Sequence, residues 1–153
     1  MINDEKLKSI IFNIVERLPN NITRTKLVKL LYLIDLRYAK INNKSLTGLT
    51  YYSYYFGPYS EEIINAINQL KGYEIEEVSN ISLEGREYYL YRPARNPRWV
   101  APFALQDDEV KVIDQVITEH GDKSLDEILE YVYNTEPYKN CKKGKPILLT
   151  PHA

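Results

Sequence analysis

The sequence predicts an α+β fold, predominantly helical, with about five main helices around a central second helix, a short strand and a β-hairpin. Three observations predict it. Five segments repeat apolar residues at a period of 3.6, the run Leu49 to Phe56 (LTYYSYYF) consists of strand formers, and two further stretches flank the turn-rich Ser79 to Arg86. With 153 residues, 44% hydrophobic, the chain suits one domain spanning 1–153.

The N-terminal helices are expected over 3–41. Asn3 or Asp4 caps the first, whose Leu7, Ile10, Ile11, Ile14, Val15 and Leu18 fall on one side, and Pro19 with Asn20-Asn21 ends it. Thr23 starts the second. There Leu27, Leu30, Leu31, Ile34, Tyr38 and Ile41 form a stripe while Val28, Leu33 and Leu36 spread apolar character round the helix, so neighbours should cover more than one face. Asn42-Asn43 closes it.

A Tyr-rich strand, a helix and a hairpin follow over 49–91. Gly57-Pro58 stops the strand, Ser60 caps the third helix with Ile63, Ile64, Ile67 and Leu70 inside, and Gly72 ends it. The hairpin pairs Tyr73 to Val78 with Glu87 to Tyr91 around Asn80 and Gly85. RPARNPRWVAP, with three prolines and three arginines, reads as a linker or surface strap. The C-terminal helices occupy 106–133: Asp107-Asp108-Glu109 opens one that Gly121 terminates, and the capping box Ser124 to Glu127 opens the next. The basic tail beyond Asn134 reads as irregular.

Catalytic constellations are not evident. Cys141 is the single cysteine and sits among lysines, and beside it only His120 and His152 could serve as soft ligands, so neither a disulfide nor a zinc site is expected. Asp107, Asp108 and Glu109 are consecutive and point apart round a helix, as first-turn charges do. His120 before Gly121 suits a cation at a helix C-terminus. GxxxxGK[ST], GxGxxG and HExxH are missing, so no enzyme, metal or cofactor is expected. No apolar run is long enough to span a membrane, and MINDEKLKSI lacks the layout of a signal peptide, so the expected location is the cytoplasm.

Charge and tyrosine point toward a partner instead. The net charge is only -1, yet residues 1–60 carry nine basic against four acidic groups and 101–136 two against ten. On the second helix Lys26, Lys29, Arg37 and Lys40 fall within about 80° of one another, a basic stripe beside the buried one. Fourteen residues are Tyr, the side chain that buries a ring while its hydroxyl stays wet. In the strand, Tyr52 and Tyr54 share one side with Phe56 and Tyr51 and Tyr55 the other, so one set is core and the other a surface. The stripe and Tyr51, Tyr52, Tyr54 and Tyr55 are therefore the candidate partner-binding residues.

The segment Lys26-Leu27-Val28-Lys29-Leu30-Leu31-Tyr32, the aromatic run ending Phe56-Gly57-Pro58, and Glu136-Pro137-Tyr138 before a short basic segment together resemble the SocA-like antitoxin family, the Panacea domain, which includes phage-associated GepA-like proteins. The likeness runs from about Ile22 to Leu149. Two departures stand out: where the family has a Thr-His pair shortly before Pro-Trp, this chain has Val132-Tyr133 and Pro137-Tyr138, and its aromatic run is richer in Tyr. The resemblance implies a mainly helical domain that neutralises a neighbouring-gene toxin by direct complex formation, without chemistry. It leaves the toxin's identity and a homo-oligomer open. The alternative is a winged-helix-like DNA-binding regulator, but the hairpin Tyr73 to Tyr91 carries Arg86 against Glu74, Glu76, Glu77, Glu84 and Glu87, which repel phosphates, so nucleic acid is not the expected partner.

Overall fold

A computed structural model describes residues 2–19, 22–95 and 105–150. In chain order the elements are α1 (Asp4–Arg17), β1 (Ile22–Thr23), α2 (Arg24–Asn42), β2 (Tyr51–Tyr54), β3 (Gly57–Tyr59), α3 (Glu61–Leu70), β4 (Ile75–Ile81), β5 (Glu87–Pro93), α4 (Asp107–His120), α5 (Leu125–Tyr133), α6 (Glu136–Lys139) and β6 (Pro146–Ile147). The fold is α+β and predominantly helical. Asn20, Asn21 and most of the proline-arginine strap lie outside the described residues.

Helix α2 is the centre because its sequence is apolar all round. It packs on α1, α4, α5 and β3, and Leu27, Leu30, Leu31, Tyr32 and Ile34 are fully buried. Several expected caps form locally: Asn3 Oδ1 accepts from Lys6 N at 3.1 Å, Thr23 Oγ1 from Lys26 N at 3.2 Å, and Asn43 closes α2 in the left-handed region at φ 53°, whereas Ser60 holds the N-cap position of α3 without a side-chain cap bond. For α4 the cap is Gln106, whose box is completed by Glu109 reaching back to the Gln106 N–H at 2.8 Å. Glu109 is buried and also pairs with Lys6, so it is more than a first-turn charge.

Gly121 ends α4 without the left-handed turn expected of a C-terminal glycine. It is needed for want of room: a Cβ there would stand 2.5 Å from the Ile117 carbonyl oxygen and 3.1 Å from Leu18 Cδ2. His120 is not a solvated cation on the helix dipole either. It is buried against the Tyr131 ring at 4.5 Å, and burial, with Lys123 beside it, lowers its pKa toward the neutral imidazole.

Two three-stranded antiparallel sheets flank the helices, ordered β1-β5-β4 and β3-β2-β6. The first contains the expected hairpin, displaced so that Asn80 is in a strand and Gly85, at φ 80°, is in the turn. The second corrects the reading of Leu49 to Phe56 as one strand. The chain reverses at Tyr55-Phe56, and Gly57-Pro58 begins the return strand β3 instead of stopping structure. The tail is not irregular: it supplies α6 and β6, with Tyr51 opposite Ile147 and Tyr52 opposite Pro146.

Candidate partner-binding site

Strand β2 alternates strictly, with Tyr51 and Ser53 buried and Tyr52 and Tyr54 exposed. Tyr51 is thus core, not surface. Its hydroxyl donates to Asp35 at 2.6 Å and its ring meets Tyr32 edge-on at 5.5 Å. Tyr55 does not follow it inward because it sits in the two-residue reversal, where with Phe56 it is carried into solvent: Tyr55 is 75% exposed and Phe56 70%.

The reversal closes on Gly57, whose φ of 101° an L side chain rarely adopts. A Cβ there would also lie 3.1 Å from Lys29 Cε and 3.5 Å from Tyr133 Cε1. Gly57→Ala is therefore expected to cost about 1 to 3 kcal/mol in urea unfolding, from backbone strain and displacement of the lysine. Unchanged stability would show that the hairpin closes without the left-handed turn.

Here the basic stripe is overturned. Lys29 is 3% exposed, its Nζ donating to the Pro58 carbonyl at 2.9 Å, and burial brings its pKa down to about 8. Lys26 is 4% exposed and binds the Gly121 carbonyl at 2.7 Å. Arg37 reaches Glu119 in two contacts of 3.1 and 2.5 Å. Only Lys40 of the four stands exposed and unpaired among the described residues. The helical arithmetic placed all four beside the apolar stripe correctly, but α4 and β3 cover that flank. The two lysines meet it by aiming their amines at carbonyls that a helix end and a sheet edge leave unused.

Helices α5 and α6 complete the site. Thr135 Oγ1 is 2.8 Å from the Tyr32 hydroxyl, the Tyr133 and Tyr138 rings lie 5.4 Å apart, and the Tyr138 hydroxyl donates to the Tyr54 carbonyl at 3.2 Å. Pro137 occupies the first turn of α6, where its missing N–H costs nothing. Beyond it, Ser53 N donates to the Lys145 carbonyl at 2.9 Å and Lys143 lies over the Tyr55 ring at 3.8 Å. Three segments far apart in sequence thus converge: Lys29 to Tyr32, Gly57-Pro58, and Tyr133 to Tyr138.

What they support is a hairpin whose outer face is aromatic. Tyr52 stacks on Tyr54 at 6.2 Å, Tyr54 leans on Tyr59 at 5.5 Å, and Tyr55 on Phe56 at 5.8 Å. A shallow cleft of about 220 Å³ opens among Lys29, Tyr54, Tyr55, Phe56, Gly57 and Tyr59. Sequence reasoning picked Tyr52, Tyr54 and Tyr55 but not Phe56 or Tyr59, although both flank the Gly57-Pro58 corner. Among the described residues no group of three or more His, Cys, Asp or Glu could hold a metal ion, and no helix is long and apolar enough to cross a membrane.

A predominantly helical α+β fold, with the α2 segment, the Phe56-Gly57-Pro58 corner and the Pro137-Tyr138 segment packed together, has the features that the sequence resemblance singled out. The family described as antitoxin SocA-like, Panacea domain, matches residues 27–139, and the chain belongs to it. No curated protein matches the chain.

Proposed function

We propose that this chain is a non-catalytic protein-binding module, the antitoxin of a toxin–antitoxin pair, acting in the cytoplasm as one domain over 1–153 and neutralising a toxin encoded beside it by direct complex formation. The observation that carries the reading is the exposed hairpin with Tyr54, Tyr55, Phe56 and Tyr59, assembled by segments within the family match. Interfaces are centred on aromatic anchors whose rings bury area at small entropic cost, and the solvated Tyr52, Tyr54, Tyr55 and Phe56 have no role in holding the core. Tyr52, Tyr54 and Tyr55 keep the partner-binding role; Lys29 and Tyr51 position the hairpin from beneath, while Lys26 holds the end of α4. The wing needed by a DNA reader is poorly supplied, since Glu76 and Glu77 on β4 already pair with Arg92, Arg24 and Lys71.

The test is survival of cells expressing the neighbouring open reading frame. The parent chain is expected to restore growth, and Tyr55→Ser with Phe56→Ser to abolish protection while leaving the melting temperature unchanged. On the purified pair the loss should be about 2 kcal/mol or more, mostly as faster dissociation. A neighbour that is harmless when expressed alone removes the antitoxin reading. Full protection by the double variant moves the interface off the hairpin.

A further inference from the structure

A larger recess, about 750 Å³, opens between the C-terminal half of α2 and the segment from α6 to β6. Leu36, Ala39 and Leu148 supply apolar walls, and Leu148 is 61% exposed. Lys40, Lys142 and Lys145 stand round it, against a single acid, Glu136.

Many cations of the chain are paired, and although Lys44, Arg86, Arg95, Lys111 and Lys139 also have no side-chain partner among the described residues, Lys40, Lys142 and Lys145 are the ones that share a recess. Lys6 pairs with Glu109, Arg17 with Asp114, Arg24 and Lys71 with Glu77, Arg37 with Glu119 and Arg92 with Glu76, while Lys26 and Lys29 bind carbonyls. Lys40, Lys142 and Lys145 have no side-chain hydrogen bond or ion pair among the described residues. Three unmatched cations around an apolar recess repel one another, and an outside anion relieves that repulsion. The walls restrict the anion further. A nucleic-acid duplex presents phosphates while its base faces stay stacked away from Leu36 and Leu148, whereas a polypeptide can present both anion and apolar face.

We propose that this recess docks an acidic, amphipathic segment of a partner protein, with its apolar side chains on Leu36, Ala39 and Leu148 and its carboxylates on Lys40, Lys142 and Lys145. The inference rests on the reading of the chain as a protein-binding module and adds a contact separate from the hairpin.

Two labelled peptides of ~12 residues test it, one with Leu at helical spacing and Glu elsewhere, the other with Lys replacing every Glu. Cys141 lines the recess and is the single cysteine, so its rate of alkylation reports occupancy at this place. The acidic peptide is expected to bind the parent at least about tenfold more tightly than its basic counterpart and to slow Cys141 alkylation. Lys40→Glu, Lys142→Glu and Lys145→Glu together should weaken it by about tenfold or more at an unchanged melting temperature, with the triple Gln variant intermediate.

Equal binding of the two peptides, unslowed alkylation at saturation, or a triple Glu variant that binds like the parent overturns the proposal. So does self-association or duplex DNA binding that the same substitutions abolish, since the recess then belongs to a second copy or to nucleic acid. Cell protection by the parent is scored separately. Peptide capture without protection removes the antitoxin reading and leaves the recess standing; protection with no effect of the recess variants on peptide binding does the reverse.

Discussion

Leu31→Ala is expected to lower the stability of the chain by about 2 to 5 kcal/mol, and Leu30→Ala by a similar amount. Both leucines are fully buried on α2, which is hemmed in by α1, α4, α5 and β3. A truncated side chain on a helix enclosed on that many sides leaves a void that cannot collapse from one direction, so a cavity term adds to the lost transfer energy. Urea unfolding measures the change, read from the midpoint at constant slope. A loss below about 0.5 kcal/mol for either leucine would mean that the centre of the core lies elsewhere.

The second large effect belongs to Asp35, a carboxyl fully buried on the same helix. It accepts from Thr47 N at 3.2 Å, Thr47 Oγ1 at 2.7 Å and the Tyr51 hydroxyl at 2.6 Å, with no cation paired to it among the described residues. Burial outweighs those three donors and raises its pKa to about 6. The folded state therefore holds the proton more tightly than the unfolded chain, whose carboxyl titrates near about 4. As pH rises from about 4 to about 6 the unfolded chain releases its proton first, so stability falls across that window and levels off above it.

A shift of this size corresponds to about 3 kcal/mol. Other carboxylates act in the opposite sense at lower pH, so the measurement is the difference between the parent and Asp35→Asn, which cannot titrate there. That difference is expected to move against the parent by about 2 to 3 kcal/mol between pH 4 and pH 7. A flat difference would show that Asp35 is ionised or wet throughout. Asp35→Ala should be worse than Asn at every pH, because it strands three buried donors.

How much of this was legible in the sequence depended on range. The order of helices and most caps were readable because capping and 3.6 periodicity act within a few residues, as at Asn3, Thr23 and Ser124. Partners distant in sequence were not. Leu49 to Phe56 reads as one lone strand because a neighbour of β2, Pro146–Ile147, is two residues long and begins with a proline, and because the hairpin turns on Tyr55-Phe56, with its glycine only at the next position.

The site divided along the same line. Alternation showed that Tyr52 and Tyr54 share a side, but which side faced solvent was fixed by Asp35, an acid placed between Ile34 and Leu36 that no local rule ties to a tyrosine. Lys26 and Lys29 were misplaced because a lysine beside an apolar stripe is usually solvated, and the carbonyls that draw these two inward come from Gly121 and Pro58. One clue was present: α2 is apolar on more sides than a surface helix needs, so some of its polar positions had to be enclosed.

The tying of Tyr54 and Ser53 to residues 138 and 145 has a consequence for when the aromatic face exists at all. Its residues lie within nine positions of sequence, but its backbone is held across separations of more than eighty. Such a surface is a property of the completed fold. A fragment that stops before residue 138 contains every ring and keeps the bonds of Lys29 and Tyr51 beneath the hairpin, but lacks the Tyr138 and Lys145 contacts that clamp its other side. Because ordering such distant contacts costs loop-closure entropy before they reward it, the face is completed only together with the rest of the chain. Proteolytic clipping in the tail alone would loosen a hairpin some ninety residues upstream.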